Sequence, residues 1–317
     1  MKILITGGSG FIGTRLIELL SALDGVELIN YDKKISERFP DLTVIGDIRD
    51  LEALKQASNG VNVIYNLAAE HADNVTPSSL YRDVNVGGAE NVVKVAEFHD
   101  IRKIIFTSTV AIYGLNRGMP TESLEPKPFN NYGHSKLEAE RIFSSWQKRN
   151  SNTSLVTLRP AVVFGENNRG NVYNLINQIA TGKFIMIGDG KNRKSMSYVG
   201  NIAEFLKLQL SNEQGHSVYN YADKADLSSE EIVSIVKREM NISVSSFKIP
   251  YAVGLAGGYL FDIVSKCTGK KFPVSAVRIQ KFCADTTIDA TSAMSSGFNA
   301  PYSLEEGLKR MIEHEFK

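Results

Sequence analysis

Short apolar runs alternate with longer stretches of helical periodicity along the first half of the chain. Lys2–Thr6 (KILIT) is a brief apolar run ended by glycine, as a strand buried on both faces should be. The segment after it, FIGTRLIELLSAL, places its apolar residues at helical spacing. Val26–Asp32, Leu42–Asp47, Asn62–Ala69 and Lys103–Thr109 read as later strands, followed by Ser154–Pro160 and Ser217–Ala222. VGGAENVVKVAEFHD and YGHSKLEAERIFSSWQKR read as helices. This alternation predicts an α/β fold on a doubly wound parallel sheet.

Past Pro160 the regularity loosens, and glycine- and asparagine-rich stretches such as GENNRGN and GDGKNRKS are binding-loop material. The expected division is a sheet domain over 1–165, which also receives elements from about 195–225. A smaller mixed substrate-capping region over 166–195 and 226–317 is partly interleaved with it.

Composition narrows the class. Apolar residues at 43% and charged ones at 22% predict a folded chain. A formal net charge of +1 gives no bulk attraction to nucleic acid, and no nucleic-acid partner is expected. The two cysteines, Cys267 and Cys283, match no metal spacing, so no metal is expected and reduced thiols in the cytoplasm are. The opening MKILITGGSGFIG does not read as a signal peptide, and no window offers the roughly 20 apolar residues of a spanning helix.

TGGSGFIG puts Gly7, Gly10 and Gly13 after a strand and at the start of a helix. A tight turn, close approach to a pyrophosphate and close helix–strand packing each ask for a glycine there. The helix N-terminus adds free N–H groups and partial positive charge. Asp32 closes the second strand nineteen residues after Gly13, where a carboxylate holds an adenosine ribose diol and repels a 2′-phosphate. That favours NAD over NADP, with Lys33 and Lys34 as a counter-argument. GDIRD supplies Asp47 and Ile48, suited to the adenine, or alternatively only a turn.

Tyr132 and Lys136 in NNYGHSK lie one helical turn apart on one face. A neighbouring ammonium favours the phenolate, lowering a pKa normally near 10 toward that of a working base. FTSTVAIYG ends a strand in Thr107, Ser108 and Thr109, at the edge where a doubly wound sheet binds ligand. The bland alternative is a strand end whose hydroxyls satisfy its own backbone.

Together with NLAA, NVGGAENV and LRPAVVFG, these motifs resemble the extended short-chain dehydrogenase/reductase family, whose cofactor domain is a Rossmann fold, along nearly the whole chain. The resemblance implies that Tyr132 is the base, that Lys136 positions the nicotinamide ribose and that Thr109 is the proton partner. It further implies NAD contacts at Gly7, Gly10, Phe11, Ile12, Gly13, Asp32, Asp47, Ile48, Leu67, Ala68, Ala69, His71, Asn85, Thr107, Tyr132 and Lys136. His71 reads equally as a solvated loop residue. Related 4,6-dehydratases carry Asp-Glu directly after the catalytic Thr; here Val110 and Ala111 stand there, which argues against dehydration. C4 epimerisation needs no further acid: Tyr132 takes the hydroxyl proton, NAD takes the hydride, and the 4-keto sugar receives it back on the other face.

Unusual strings such as AAEHADNVTPSSLYRDVNV and GGYLFDIVSKCTGKK resemble the epimerases of O-antigen assembly. These interconvert N-acetylglucosamine and N-acetylgalactosamine attached to undecaprenyl diphosphate. Epimerases of UDP-sugars carry an Arg where this chain has Lys194 and a second Arg for which no counterpart is found. The resemblance therefore implies a lipid-linked amino sugar, with Thr109, Asn171, Lys194 and Arg278 as substrate contacts, and a homodimer through the helices after Asn85 and Tyr132. A UDP-sugar 4-epimerase, a 4-ketoreductase or steroid-like dehydrogenase (YVGN, Tyr198–Asn201) and a silent dinucleotide-binding regulator are the rivals.

One stretch departs from the picture. Ile249–Phe261 carries no charge, and the run from Lys248 to Lys281 holds Lys248, Lys266, Lys270, Lys271, Arg278 and Lys281 against the single acid Asp262. Too short to span, it suits the membrane interface, with Tyr251 and Tyr259 at headgroup level and each basic residue worth about 1 kcal/mol on anionic lipid. A lipid-linked substrate makes 249–281 a peripheral contact with the cytoplasmic face of the cell membrane. The alternative is a buried core helix followed by a solvated basic loop.

Overall fold

In the computed structural model, which describes residues 1–72, 75–212, 215–243, 247–269 and 275–317, the seven expected strands pair in one parallel sheet. The first six are β1 (Lys2–Thr6), β2 (Glu27–Asp32), β3 (Thr43–Ile45), β4 (Val63–Asn66), β5 (Lys103–Thr107) and β6 (Ser154–Pro160). With the seventh, Gly215–Tyr221, the order is Gly215–Tyr221, β6, β5, β4, β1, β2, β3. Every pairing in it is parallel. Helices α1 (Phe11–Leu20), α2 (Leu51–Ala57), α3 (Gly87–Phe98) and α4 (Asn131–Arg149) make the crossovers.

Strand alternation explains the layering. Ile3 and Ile5 enter one core with Leu16, Leu20, Val156 and Phe205, while Leu4 between them enters the other with Val92, Phe106, Phe143 and Trp146. A strand buried on both faces has no polar side to spare, which is why these runs read as continuously apolar.

The chain forms two compact units. The larger comprises Met1–Val163, Ser197–Ala222 and Ile288–Tyr302, the last a stretch the sequence reading assigns to the capping region. The smaller comprises Phe164–Met196, Asp223–Thr287 and Ser303–Lys317. Two of its helices, Ser229–Met240 and Leu304–Phe316, begin with complete capping boxes, Ser228 with Glu231 and Ser303 with Glu306.

The uncharged stretch lies in the smaller unit and forms the helix Tyr251–Thr268, of which only Gly258 is buried. A Cβ on Gly258 would stand 2.8 Å from the Ala276 Cα, so a missing side chain is what lets the Ala276–Cys283 helix approach. Asp262, on the same face, accepts the Ala276 amide at 3.1 Å. Outside that stripe the helix exposes large apolar side chains: Val253 (61%), Leu260 (62%) and Ile263 (59%). The core-helix alternative therefore does not describe it. Among the described residues no helix is long and apolar enough to cross a membrane. Lys270 and Lys271 lie outside the described residues.

Candidate active site

The glycine loop runs from the end of β1 into α1. Gly7 has φ +74°, and a Cβ there would meet the Ala68 amide nitrogen at 2.6 Å. A Cβ on Gly13 would meet the Gly8 Cα at 2.5 Å. Side chains are thus excluded from the turn by backbone on two sides. Gly10 is the N-cap of α1 and supplies no side-chain cap, which leaves the first-turn amides of the helix to a ligand. Phe11 and Ile12 open that helix and are half-buried.

Asp32, at the C-terminal end of β2, accepts from the Ser9 amide through Oδ2 and from the Lys34 amide through Oδ1, each at 3.0 Å. Those two bonds aim its carboxylate and tie it to the glycine loop. Asp47 is gripped by Arg49, whose Nη2 and Nε lie 2.7 and 3.0 Å from its oxygens. The Arg49 hydrogen bonds hold the Asp47 carboxyl below its usual range. Asn91 donates to the carbonyls of Ile48 and Arg49, both at 3.0 Å, so α3 fixes this turn. These are donor and acceptor sets that fit a dinucleotide: bare amides for its pyrophosphate, an oriented carboxylate for a ribose diol, and a fixed turn for a base.

Leu67, Ala68 and Ala69 follow β4 and pass the glycine loop at Gly7. Asn85 sits in a single π-helical turn, Tyr81–Val86, ahead of α3. Its Oδ1 accepts the Glu70 amide at 2.8 Å, and its Nδ2 donates to the Glu70 carbonyl and to Ser135 Oγ. His71 is exposed. Thr107 closes β5 and donates to the Asn66 carbonyl at 3.4 Å. Ser108 is buried, and its Oγ has no hydrogen-bond partner among the described residues.

Thr109 caps the short 3₁₀ turn Val110–Tyr113, accepting the Ala111 amide at 3.2 Å, and shares a hydrogen bond with the Tyr132 hydroxyl. Tyr132 and Lys136 lie in the first turns of α4, whose N-cap Asn130 accepts the Gly133 amide at 2.8 Å. Lys136 is buried, its Nζ 4.2 Å from the centre of the Phe106 ring. Burial pushes the Tyr132 phenol up to about 12, with the Thr109 hydrogen bond pulling the other way. Burial pushes Lys136 down to about 7, with Glu140 opposing. The expected lowering of the phenol by its lysine is therefore not what dominates here: withdrawal of both groups from water outweighs it. What the arrangement offers is a phenol and a hydroxyl in hydrogen-bond contact at a strand end, able to pass a proton to and from one bound hydroxyl.

The remaining expected substrate contacts belong to the smaller unit. Asn171 is the exposed first residue of the helix Asn171–Ala180, and Arg278 is exposed on Ala276–Cys283. Lys194 differs from expectation. Its ammonium donates to the carbonyls of Lys281 (3.0 Å) and Ala284 (2.5 Å), at the C-terminal end of that helix, where a cation is favourable. Burial pushes it down to about 8, with Asp285 opposing.

Sequence reasoning missed Arg49, Ser135 and a buried pair, Glu140 and Arg159. Only Arg159 left a trace, as a charge inside the apolar strand SLVTLRP.

Residues 3–222 match the family described as the NAD dependent epimerase/dehydratase family. The chain is 51% identical over 317 residues to an N-acetyl-alpha-D-glucosaminyl-diphospho-ditrans,octacis-undecaprenol 4-epimerase of Escherichia coli O157:H7, covering 99% of this chain and 95% of that one. It is 25% identical to a UDP-glucose 4-epimerase of Vibrio cholerae, covering 98% and 94%. Among solved structures, a UDP-glucuronic acid 4-epimerase from Bacillus cereus in complex with NAD superposes with TM-score 0.78 at 22% identity, over 99% of this chain and 98% of that one. A UDP-glucose 4-epimerase of Thermus thermophilus in complex with NAD gives TM-score 0.76 at 21% identity, over the same shares. At such identities these two speak for the fold.

Proposed function

The chain belongs to the NAD dependent epimerase/dehydratase family, and from that premise we propose that it is an isomerase that interconverts N-acetylglucosamine and N-acetylgalactosamine at C4 while the sugar is carried on undecaprenyl diphosphate, in O-antigen synthesis. The observation that carries the substrate class is the likeness to the Escherichia coli enzyme along almost the whole of both chains.

NAD, when bound, supplies a hydride acceptor that is restored within each turnover. The protein's part is to bind, orient and move one proton. The amides of Phe11, Ile12 and Gly13 receive the pyrophosphate, which the absence of side chains at Gly7 and Gly10 lets approach, Asp32 receives the adenosine ribose, and Asp47 with Ile48 the adenine side. Leu67–Ala69 and Thr107 line the pocket, with His71 at its edge. Lys136 holds the second ribose, and Asn85 keeps the loop after β4 in register with α4. Tyr132 takes the proton of the C4 hydroxyl and returns it when the reduced face has changed. Thr109 holds both oxygens in line. Partial burial of Tyr132 and Thr109 limits proton exchange with solvent.

Asn171 and Arg278 are assigned to the sugar diphosphate. Lys194 joins them only by exchanging its two carbonyl hydrogen bonds. That commitment supports a lipid carrier over a nucleotide, since the position that carries Arg in UDP-sugar enzymes is here engaged within its own unit. The exposed face of Tyr251–Thr268 is assigned to the headgroup region of the cytoplasmic membrane face, which brings the enzyme to a substrate whose tail stays in the bilayer. Two copies are assigned to pair through α3 and α4.

The test is a paired assay on purified protein with no added cofactor. One sample receives UDP-N-acetylglucosamine, the other undecaprenyl-diphosphate N-acetylglucosamine in detergent. Product from the lipid alone is expected. Product from the nucleotide at equal or greater rate overturns the carrier assignment, and product from neither overturns the epimerase.

A further inference from the structure

One buried cluster in the larger unit has no place in that mechanism. Glu140 on α4 and Arg159 on β6 form a two-pronged ion pair, Nε to Oε1 at 3.0 Å and Nη2 to Oε2 at 2.7 Å, with side chains only 8% and 9% exposed. The free end of the guanidinium, Nη1, donates to the Tyr113 hydroxyl at 2.8 Å and to the Glu122 carbonyl at 3.1 Å. Tyr113 donates onward to Asn220 Oδ1 at 2.7 Å. Asn220 in turn donates from Nδ2 to the Pro120 carbonyl and from its backbone to Glu122 Oε1. Four segments meet at this pair: the helix that carries Tyr132 and Lys136, the strand β6, the stretch that follows Thr109, and the edge strand Gly215–Tyr221 beside β6.

A buried ion pair is a poor device for stability. Apolar residues of the same volume are often as good or better, because both charges must be stripped of water. Its position suggests another use. Glu140 lies four residues beyond Lys136, on the same face of α4. Lys136 is itself buried, which favours loss of its proton, while Glu140 and the face of the Phe106 ring favour keeping it. The titratable and charged groups around the pair are Tyr132, Lys136 and Lys148 on α4, Arg159 on β6, Tyr113 on the turn after β5 and His216 on the edge strand. Arg82 and Glu138 pair with each other at the surface.

We propose that Glu140, held in place by Arg159, is a positioning residue that favours the ammonium form of Lys136 one helical turn from Tyr132. The proposal rests on Tyr132 and Lys136 belonging to the active site proposed above. Arg159 fixes where the carboxylate stands, and through Tyr113 and Glu122 it ties that position to the backbone that follows Thr109. Both halves of the proton-moving pair are thereby set from one buried anchor.

The experiment is a pH titration of the full-length NAD-containing protein labelled with ¹³Cε-lysine and followed by NMR, the Lys136 signal being identified by its loss in Lys136→Met. Glu140→Gln is expected to lower the Lys136 midpoint by about one pH unit or more, and Glu140→Asp to hold it near the wild-type value. Because Glu140→Gln leaves Arg159 buried without its partner, the double variant Glu140→Leu/Arg159→Met, which removes both charges together, is measured alongside. A lowered midpoint is expected there too, accompanied by an equal shift in the alkaline limb of turnover. An unmoved midpoint in the folded double variant overturns the proposal, and so does lost turnover with the midpoint unchanged, which leaves the pair a structural role. The NMR midpoint is read without substrate, so it decides the matter even if the enzyme proves not to be an epimerase.

Discussion

Asn85 Nδ2 donates to Ser135 Oγ at 2.8 Å, and Ser135 Oγ donates in turn to the Tyr132 carbonyl. One side chain thus joins the loop after β4 to the first turn of α4. Asn85→Ala removes this link and leaves the Glu70 amide and carbonyl without their partner. Each buried group left unsatisfied costs about 1–3 kcal/mol. We expect about 2–3 kcal/mol of lost stability in urea unfolding, together with loss of co-purifying NAD. Full stability with full NAD content would show that the link is dispensable.

Gly13→Ala places a methyl group 2.5 Å from the Gly8 Cα, where only backbone can move. Overpacking of this kind costs about 1–3 kcal/mol. The loop must shift to admit it, and the amide array shifts with it. The expected result is a folded protein with NAD content reduced by about tenfold or more, read from the absorbance of cofactor released by acid. Gly257→Ala, on the helix Tyr251–Thr268 where nothing lies within 4 Å of the added atom, should keep its NAD and control for handling.

Tyr132→Phe keeps the ring and deletes the proton. Turnover should fall by about 100-fold or more while NAD content and melting temperature stay close to wild type. Thr109→Val tests the partner. The Thr109 hydrogen bond works against the burial that pushes the phenol up to about 12, so its loss raises the phenol further. The acid limb of the rate profile should therefore move to higher pH. A limb that stays in place means that another group governs it.

The parallel sheet was legible because strands buried on both faces, such as Lys2–Thr6 and Ser154–Pro160, cannot hide their apolar character. The glycine loop was legible because its requirement is steric and local, and the family assignment from these motifs is borne out. Glu140 and Arg159 were not, because nineteen residues separate them and only the packing of α4 on β6 brings them together. Nor was the committed state of Lys194, which depends on where the Ala276–Cys283 helix ends. The Tyr251–Thr268 helix shows the remaining limit: apolar content says that a surface wants cover, not whether the chain itself supplies it.

Lys136 predicts an unusual dependence of stability on pH. Its folded value is about 7 and its ordinary value 10.5. Below about 7 both folded and unfolded chains carry the proton, and the full cost of burying the charge is present. Between 7 and 10.5 the folded chain sheds the proton while the unfolded chain keeps it, so this group's contribution to stability rises with pH. Lys136→Met should accordingly be more stable than wild type at pH 6, with the advantage shrinking at pH 9, in paired urea melts. An advantage independent of pH would mean that the lysine is not desolvated in the folded protein.

The exposed face of Tyr251–Thr268 carries the membrane assignment. Val253, Leu260 and Ile263 are each more than half exposed, and the helix turns Gly258 toward Ala276–Cys283. Of the basic residues in the run, Lys248 is already paired with Glu230 at 3.0 Å, which leaves less charge for lipid than composition implies. Apolar insertion should then dominate. Burying a large apolar side chain is worth about 1.5–3 kcal/mol, so Leu260→Asp together with Ile263→Asp should weaken binding to vesicles containing anionic phospholipid by about 100-fold. Raising the salt from about 0.1 to 1 M should weaken it far less, since screening acts on the charges alone. Both positions belong to the smaller unit and neither is among the residues assigned to the cofactor, the proton or the sugar diphosphate, so turnover on a short-chain, detergent-soluble polyprenyl diphosphate sugar should be retained. Wild-type protein that stays in the supernatant with vesicles, or a double variant that still sediments with them, removes the helix from the membrane. Wild-type protein whose oligomeric state falls when these two side chains are changed assigns the face to a second copy instead.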